Sequence, residues 1–503
     1  MRSLRRIFQI LFIVIFYLLF LLTSYPMASK VPAQFFLRLD PLVGLSAAVS
    51  ARTLAVVTLP AILLLLFTLV LGRFFCGWIC PLGSTIDGFD GAAGNHKKKM
   101  KHLPLKGVKL FILIAVFVGA VGSVQLAGWV DPISLYTRTV NAVIYPVFVL
   151  FMDGLMGIFL SVGFLERGGY VVYDFLRGFV LPIQTVTFQG SVILGLFFLA
   201  ILALGFIQSR FWCQNICPLG AFLSLFSRWR LYRRKVSDAC TSCGLCRQYC
   251  RMDAIGEDYK ITDHGECISC MDCQVICPVQ AISFGFQKKI QPSPVDFNRR
   301  RLLTGGVAGL LSIGLIKTGY TQVTRKGYAV RPPGAIEEGE FLDRCVRCGK
   351  CIRVCSSVGA GLQHAMLETG WEGFLSPVLI PTTGYCEYTC NLCGQVCPTG
   401  AIRPLPLKER QERKIGTAHF DKTRCIPWYY GEDCMVCEEH CPLPEKAIQF
   451  RESEVVTIDG RNATVFLPFV KENICIGCGI CVNRCPLEGH RGIYLTHADE
   501  MRY

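Results

Sequence analysis

All 28 cysteines of the chain fall into short motifs, and none is left over. Twenty-four form six groups of four, and the remaining four form two copies of C-x3-C-P. The groups are Cys240, Cys243, Cys246 and Cys250; Cys267, Cys270, Cys273 and Cys277; Cys345, Cys348, Cys351 and Cys355; Cys386, Cys390, Cys393 and Cys397; Cys425, Cys434, Cys437 and Cys441; and Cys475, Cys478, Cys481 and Cys485. Four of them follow C-x2-C-x2-C-x3-C; the fourth opens with an x3 gap and the fifth with an x8 gap. Three thiolates two residues apart lie on one tight loop and reach three irons of a cubane. The fourth points away and, in two-cluster ferredoxins, ligates the neighbouring cluster. Each group therefore reads as the ligand set of one [4Fe–4S] cluster, giving six clusters and 24 iron-binding cysteines.

Zinc and disulfides fit less well. Structural zinc takes two separated C-x2-C pairs, and cysteines two residues apart on a tight loop pair poorly. Pro follows Cys277, Cys397, Cys441 and Cys485, and an Ala-Ile echo recurs at Ala254-Ile255, Ala281-Ile282, Ala401-Ile402 and Ala447-Ile448. These mark an internal repeat of one short unit.

The cysteine groups occupy residues 236–503, whereas 1–235 carry long apolar runs. Four runs have the length of a bilayer span: Ile7–Tyr25, Thr53–Leu71, Val108–Val130 and Gly190–Ile207. The net charge of +15 is explained by topology rather than by nucleic acid. Basic residues cluster at Arg2, Arg5 and Arg6, at Lys97, Lys98, Lys99, Lys101, Lys106 and Lys109, and at Arg228, Arg230, Arg233, Arg234 and Lys235. The positive-inside rule puts all three clusters in the cytoplasm and orients the four helices out, in, out, in. Residues 142–181, with Asp153 inside them, are expected as an amphipathic or re-entrant segment on the outer side.

Two segments nearly repeat: Arg73-Phe-Phe-Cys-Gly-Trp-Ile-Cys-Pro-Leu-Gly83 and Arg210-Phe-Trp-Cys-Gln-Asn-Ile-Cys-Pro-Leu-Gly220. A weaker echo pairs Asp40-Pro41-Leu42 with Asp131-Pro132-Ile133, expected on the outer side. The 1–235 domain thus reads as two helix pairs related by duplication. In C-x3-C the two thiols share one helical face, and pseudo-symmetry gathers Cys76, Cys80, Cys213 and Cys217 in one place. A thiol–disulfide pair, a soft-metal site for copper or iron and the wall of a quinone pocket all fit, and so does plain packing of small cysteines.

Groups one and two form a two-cluster ferredoxin over 236–290, on the cytoplasmic side. Cys240, Cys243, Cys246 and Cys277 are expected on one cluster, and Cys267, Cys270, Cys273 and Cys250 on the other. Asp296-Phe-Asn-Arg-Arg-Arg-Leu-Leu-Thr-Gly-Gly306 then begins a mild apolar run to about Ile316. It resembles a twin-arginine export signal, with Asn298 where Ser or Thr is usual. Residues 291–325 are read as this signal or anchor helix, although Lys317, Arg325 and Lys326 favour a cytoplasmic linker. Residues 326–503 follow as a four-cluster ferredoxin domain, its cysteine pairing open between sequential and nested schemes. The fold class is an α-helical membrane domain of four or more transmembrane helices plus ferredoxin-like α+β iron–sulfur domains.

This order of motifs resembles two families joined end to end. Residues 1–290 resemble the NapH and MauN ferredoxin-type membrane proteins, and residues 297–503 resemble their partners NapG and MauM. The departure is the fusion, which puts the export signal in mid-chain. The resemblance implies electron transfer in a quinol dehydrogenase-type system of the bacterial inner membrane. Electrons would pass between quinol and a periplasmic cytochrome or reductase, with the N-terminus and first two clusters cytoplasmic and the four-cluster domain periplasmic. The membrane half also resembles NosR and CcoG accessory proteins, which implies copper at the C-x3-C-P motifs and reductant from the clusters. A third reading keeps all six clusters cytoplasmic as a hub for a soluble oxidoreductase. In the first reading the two cluster sets are separated by a bilayer about 30 Å thick, and only the C-x3-C-P sulfurs and quinone lie between.

Overall fold

The computed structural model describes residues 2–27, 32–53, 59–94, 105–161, 166–179, 181–182, 187–287, 299–317, 329–366, 368–456 and 462–503. Lys97, Lys98, Lys99, Lys101, Asn298, Arg325 and Lys326 lie outside them, as do residues 54–58 of the Thr53–Leu71 run.

The N-terminal half is a helical domain built twice on one plan. Its first copy holds α1 (Arg2–Leu21), α2 (Pro41–Ser50), α3 (Leu59–Leu71) and α4 (Pro81–Ala92). Its second holds α5 (Gly107–Val121), α6 (Pro132–Thr139), an inserted pair α7 (Tyr145–Ser161) and α8 (Glu166–Phe179), then α9 (Ser191–Ala203) and α10 (Pro218–Ser227). The echoed motifs are helix starts. Asp40 caps α2 and Asp131 caps α6, each accepting from two backbone N–H groups, with Pro in the first turn. Cys80 caps α4 and Cys217 caps α10 through sulfur, again ahead of Pro.

Among the described residues two helices are long and apolar enough to cross a membrane, Ser3–Leu21 and Pro132–Ser161; α3, α5, α9 and the later helix 303–317 are shorter. The second of these departs from expectation. A π-helical turn at Val140–Ile144 fuses α6 to α7, so 142–161 continues a long helix rather than forming a re-entrant loop. Asp153 accepts from Tyr173 Oη at 2.9 Å and ties α7 to α8. Asp40 and Asp131 are fully buried and their carboxyls meet. The outward faces of the helices carry Ile10, Val14, Leu18, Leu63, Leu66, Leu150, Phe151, Leu196 and Leu199, all exposed.

β1 (Tyr232–Val236) and β2 (Ile282–Phe286) pair antiparallel around groups one and two. This ferredoxin unit thus opens inside the basic run 228–235. α11 (Arg299–Lys317) follows and packs parallel to α5. Gly305 faces Phe111 and Ile114, Gly309 faces Val118, and Ile313 faces Gly122, the small-residue seam that lets two helices approach closely.

The C-terminal domain begins with α12 (Glu338–Arg344) and α13 (Lys350–Ser356), followed by β3 (Leu362–His364) and β4 (Pro377–Leu379). It ends with β5 (Thr417–Phe420), β6 (Ile448–Val456), β7 (Asn462–Val470) and β8 (Ile493–Thr496). The first unit's plan recurs here twice. An Ala335–Ile402 bridge encloses groups three and four, and the β5–β8 pair encloses groups five and six, with the β6–β7 hairpin between them. The Ala-Ile echoes are buried floors beneath the cysteines.

The two ferredoxin regions dock at opposite ends of the helices. At 1.5 Å per residue α1 is about 30 Å long. Arg5 near its start pairs with Asp272 of the first ferredoxin unit at 3.9 Å. Phe20 near its end lies under the Arg353 guanidinium of the C-terminal domain at 4.5 Å. Likewise Lys109, early in α5, bonds Glu266, while Gln125, just past its end, donates to Asp343 O at 3.5 Å. α11, parallel to α5, carries the chain from one end to the other.

A Cβ on Gly309 would sit 2.6 Å from Val118 Cβ, whereas one on Gly306 meets nothing within 4 Å. Gly309→Val is expected to destabilise the protein by roughly 1–3 kcal/mol through overpacking, and Gly306→Val by much less. Thermal melting of both variants checks this, and equal melting would show that the seam is not tight.

Candidate functional site

The cysteines converge in fours, with the fourth ligand exchanged between neighbours. Cys355 joins Cys386, Cys390 and Cys393 around one cavity. Cys485 joins Cys425, Cys434 and Cys437 around a second, and Cys441 joins Cys475, Cys478 and Cys481 around a third. Cys397 faces Cys345, Cys348 and Cys351. In the first unit Cys250 faces Cys267, Cys270 and Cys273; Cys246 faces Cys240 and Cys243, and Cys277 packs in the same small core. Of the two schemes left open for the four-cluster domain, the geometry follows the sequential one: three with four, five with six.

Loop conformation explains why spacing matters. In groups one, two, three and six, the residues one before and one after the second cysteine take left-handed backbone: Ser242 and Gly244, Ser269 and Met271, Arg347 and Gly349, Gly477 and Gly479. Each pair flanks the second cysteine and turns backbone N–H groups inward, as anion-binding loops do. The fourth and fifth groups, with longer opening gaps, lack this pair. Side chains add donors to sulfur: Arg410 Nη2 reaches Cys386 Sγ at 2.9 Å, and Arg234 Nη2 reaches Cys246 Sγ at 3.4 Å. Such hydrogen bonds help set a cluster's potential. Burial pushes the thiols of Cys355, Cys437 and Cys478 up to about 12, so thiolates there would need a bound cation, a need that cluster iron would meet. The six sets fit [4Fe–4S] clusters in donor chemistry and arrangement, and a bound cluster supplies one-electron storage in each.

The C-x3-C-P cysteines also converge. Each of Cys76, Cys80, Cys213 and Cys217 lies within electrostatic reach of the other three, and all are buried. Each copy's arginine crosses to the other copy. Arg210 donates to Cys76 O at 3.0 Å and to Gly83 O at 3.1 Å, and clamps Asp87 with two bonds of 2.7 Å. Arg73 abuts Gly220, where an added Cβ would meet Nη2 at 2.5 Å. Arg73 Nη1 bonds Glu266 of the first ferredoxin unit at 2.9 Å, and its guanidinium also lies against Cys76 and Cys217.

Sequence reasoning quoted Arg73 and Arg210 within the repeated segments without giving them a role. Their position three residues before the first cysteine of each motif was the available signal. It missed Asp87 altogether, and it missed the hydroxyl chain from Thr85 Oγ1 through Tyr136 Oη (2.9 Å) to Tyr17 Oη (3.1 Å). His440 and His490 also stand beside cysteine groups: His440 Nδ1 lies 3.0 Å from Val436 O, and the His490 carbonyl accepts from Arg424 Nε at 2.9 Å.

Two families described as 4Fe-4S binding domains match the chain. One covers residues 53–101 and 191–237. The other covers 237–253, 264–280, 342–359 and 472–494, the four groups with regular spacing. The chain is 35% identical over 205 residues to the methylamine utilization ferredoxin-type protein MauM of Methylorubrum extorquens, covering 39% of this chain and 87% of that protein. It is 35% identical over 197 residues to the ferredoxin-type protein NapG of Escherichia coli, covering 38% and 82%. It is 33% identical over 201 residues to MauM of Paracoccus denitrificans, covering 39% and 83%. No solved structure matches the chain.

The exchanged ligands make a specific prediction. Cys355→Ser and Cys386→Ser disable the same cluster, so their double variant should lose one cluster, about four irons. Cys355→Ser with Cys345→Ser should lose two. Iron analysis and EPR of the reduced proteins separate these patterns, and the reverse result would mean that each group keeps its own fourth cysteine.

Proposed function

The chain belongs to the family of ferredoxin-type proteins that includes MauM and NapG, and from that premise we propose that it is a membrane-embedded electron carrier. It exchanges electrons between the quinol pool and a redox partner protein, such as a cytochrome or reductase, on the far side of the membrane, and six [4Fe–4S] clusters carry them. The helical domain is read as its membrane anchor, akin to NapH and MauN. The apolar outward faces support this, as does the enclosure of Arg73, Asp87, Asp131 and Arg210 within the domain. The parallel course of α11 beside α5 supports export of the C-terminal domain over a cytoplasmic linker.

One observation carries the quinol assignment. A cavity of about 410 Å³ opens on the flank of the helices between α7 and α9, lined by Val143, Tyr145, Val149, Phe188, Gly195 and Leu196 among others. Its lining is almost wholly apolar, as a lipophilic ring and isoprenoid tail require. Tyr145 at its inner wall lies 4.2 Å from the Arg353 guanidinium. Arg353 sits on α13 between Cys351 and Cys355, which belong to two different cluster sets. A quinol head group beside Tyr145 would thus be close to both. Its oxidation would release two electrons and two protons, and clusters held by these two cysteine sets would each be able to accept one electron.

The cavity gives the test. Gly195→Trp places an indole in the lumen, where among the described residues a Cβ added at Gly195 would meet Val143 alone, at 3.4 Å. Cluster reduction by a quinol analogue should slow at least tenfold, with dithionite-reducible cluster content unchanged. An unaltered quinol rate in a fully loaded variant would remove the cavity from the account.

A further inference from the structure

Group five opens with eight residues between its first two cysteines, where the regular groups have two. Ligating a cubane does not require so long a loop. The segment begins with a short helical turn, Ile426–Tyr429, and then runs along the free edge of β7. Trp428 Nε1 donates to Pro468 O at 3.0 Å, and the Phe466 N–H donates to Asp433 Oδ1 at 2.9 Å. The strand edge is thereby covered.

The loop turns large side chains outward. Tyr429, Tyr430 and Met435 are 50%, 43% and 40% exposed, and Phe466 of β7 is 40% exposed. Tyr429 and Tyr430 meet edge to face, with ring centroids 4.9 Å apart. Aromatic residues and methionine gathered on one exposed face have the composition of an interface core. Their chain neighbours Ile426, Pro427 and Val436 line the cavity that holds Cys425, Cys434, Cys437 and Cys485. The patch is therefore the outer surface of a cluster site's wall.

That site stands at the end of the line of four. The C-terminal domain grips the helices through groups three and four: Asp343, Arg347 and Arg353, and Gln395, whose carbonyl accepts from Gln34 at 3.3 Å. The Cys386 N–H donates to Cys478 O at 2.8 Å, which joins the set of group four to that of group six. Cys481 then lies beside Cys437 of group five.

Charge separates this face from the rest of the chain. The net charge is +15, yet Glu432, Asp433, Glu438 and Glu439 fall between Gly431 and His440 with no Lys or Arg among them. On the hairpin Glu452 stands opposite Phe466, and Glu454 opposite Thr464. The nearby cations are engaged locally. Lys422 lies over the Trp428 ring at 4.3 Å, and Arg424 is held by the His490 carbonyl. Arg451 pairs with Leu467, on the opposite face of the hairpin from Phe466.

Resting on the reading of the chain as an electron carrier, we propose that the face of Tyr429, Tyr430, Met435 and Phe466 is a docking surface for a soluble one-electron carrier protein whose cofactor edge is ringed by lysine or arginine. The apolar centre excludes water where the two redox groups approach, and the carboxylate rim steers the encounter. In the transfer, a cluster at Cys425, Cys434, Cys437 and Cys485 loses one electron and the partner's oxidised cofactor gains it. No bond is made or broken.

The full-length protein in detergent is reduced with dithionite, freed of excess reductant and mixed with an oxidised basic cytochrome c as probe. Haem reduction is followed by stopped flow at rising salt. A net charge of +15 would repel this probe, so the rate would rise as salt screens the repulsion. Docking at the acidic face makes the rate fall instead. Glu432→Lys/Glu439→Lys is expected to slow it roughly tenfold at low salt, with cluster content unchanged. Glu412→Lys, at an exposed carboxylate near group four, should leave it unaltered. Carbodiimide cross-links between the oxidised proteins, mapped by mass spectrometry, should join probe lysines to Glu432, Glu438 or Glu439. A rate that rises with salt, equal slowing by Glu412→Lys, or cross-links that map elsewhere overturns the proposal. So do cross-links at these residues between two copies of the chain, which would assign the face to self-association. Dithionite bypasses the quinol cavity, so a probe that takes no electrons sinks the docking face, and the quinol rate, read separately, decides the carrier reading.

Discussion

Two glycines set how close the cluster loops come to the helical body. A Cβ at Gly77 would lie 2.6 Å from Ile268 O, and one at Gly128 would lie 2.5 Å from Val346 O. Ile268 follows Cys267 and Val346 follows Cys345, so the same loop position docks at each end. Any side chain at either glycine would push a cluster loop away from the helices. Electron exchange between redox centres depends steeply on their separation, so these two backbone contacts underlie the rest of the arrangement. Arg138, reaching Arg347 O at 2.9 Å, and Trp78 Nε1, reaching Ser269 O at 3.1 Å, fasten the two loops in place.

The duplication is symmetric in its caps and asymmetric in its charges. Asp87 stands seven residues after Cys80 and clamps Arg210. The matching place after Cys217 is Ser224, which carries no charge and whose hydroxyl donates to Ala221 O. Arg73, the counterpart of Arg210, takes its carboxylate from Glu266, outside the helical domain. The second half-site is therefore completed by the first ferredoxin unit, which ties that unit to the helices by more than packing. Buried pairs of this kind owe much of their importance to the cost of losing one partner.

The cysteine groups were legible from the sequence because ligand spacing is local: three thiols on one loop need no tertiary information. Which neighbour receives the fourth thiol depends on how two loops face each other, and in the C-terminal domain it was left open until β5–β8 and the Ala335–Ile402 bridge fixed the facing. The pooling of the four C-x3-C-P thiols followed from the internal repeat, as did the kinship of Asp40 and Asp131, whereas their role as two buried helix caps in contact is visible only in the packing. The α6–α7 junction was missed because a π-helical turn leaves no gap in hydropathy. The Val108–Val130 run is broken into Gly107–Val121 and a short helix at Ala127–Val130, which a window of average hydropathy merges.

The central claim is that the chain joins cluster domains on opposite sides of one membrane. A folding reporter active only outside the cytoplasm, fused after Tyr503, tests it most directly when paired with a cytoplasm-only reporter ahead of Met1. Both reporters active in the same cells is the predicted result. A silent reporter after Tyr503, replaced by activity from a cytoplasmic reporter at the same position, would contradict it.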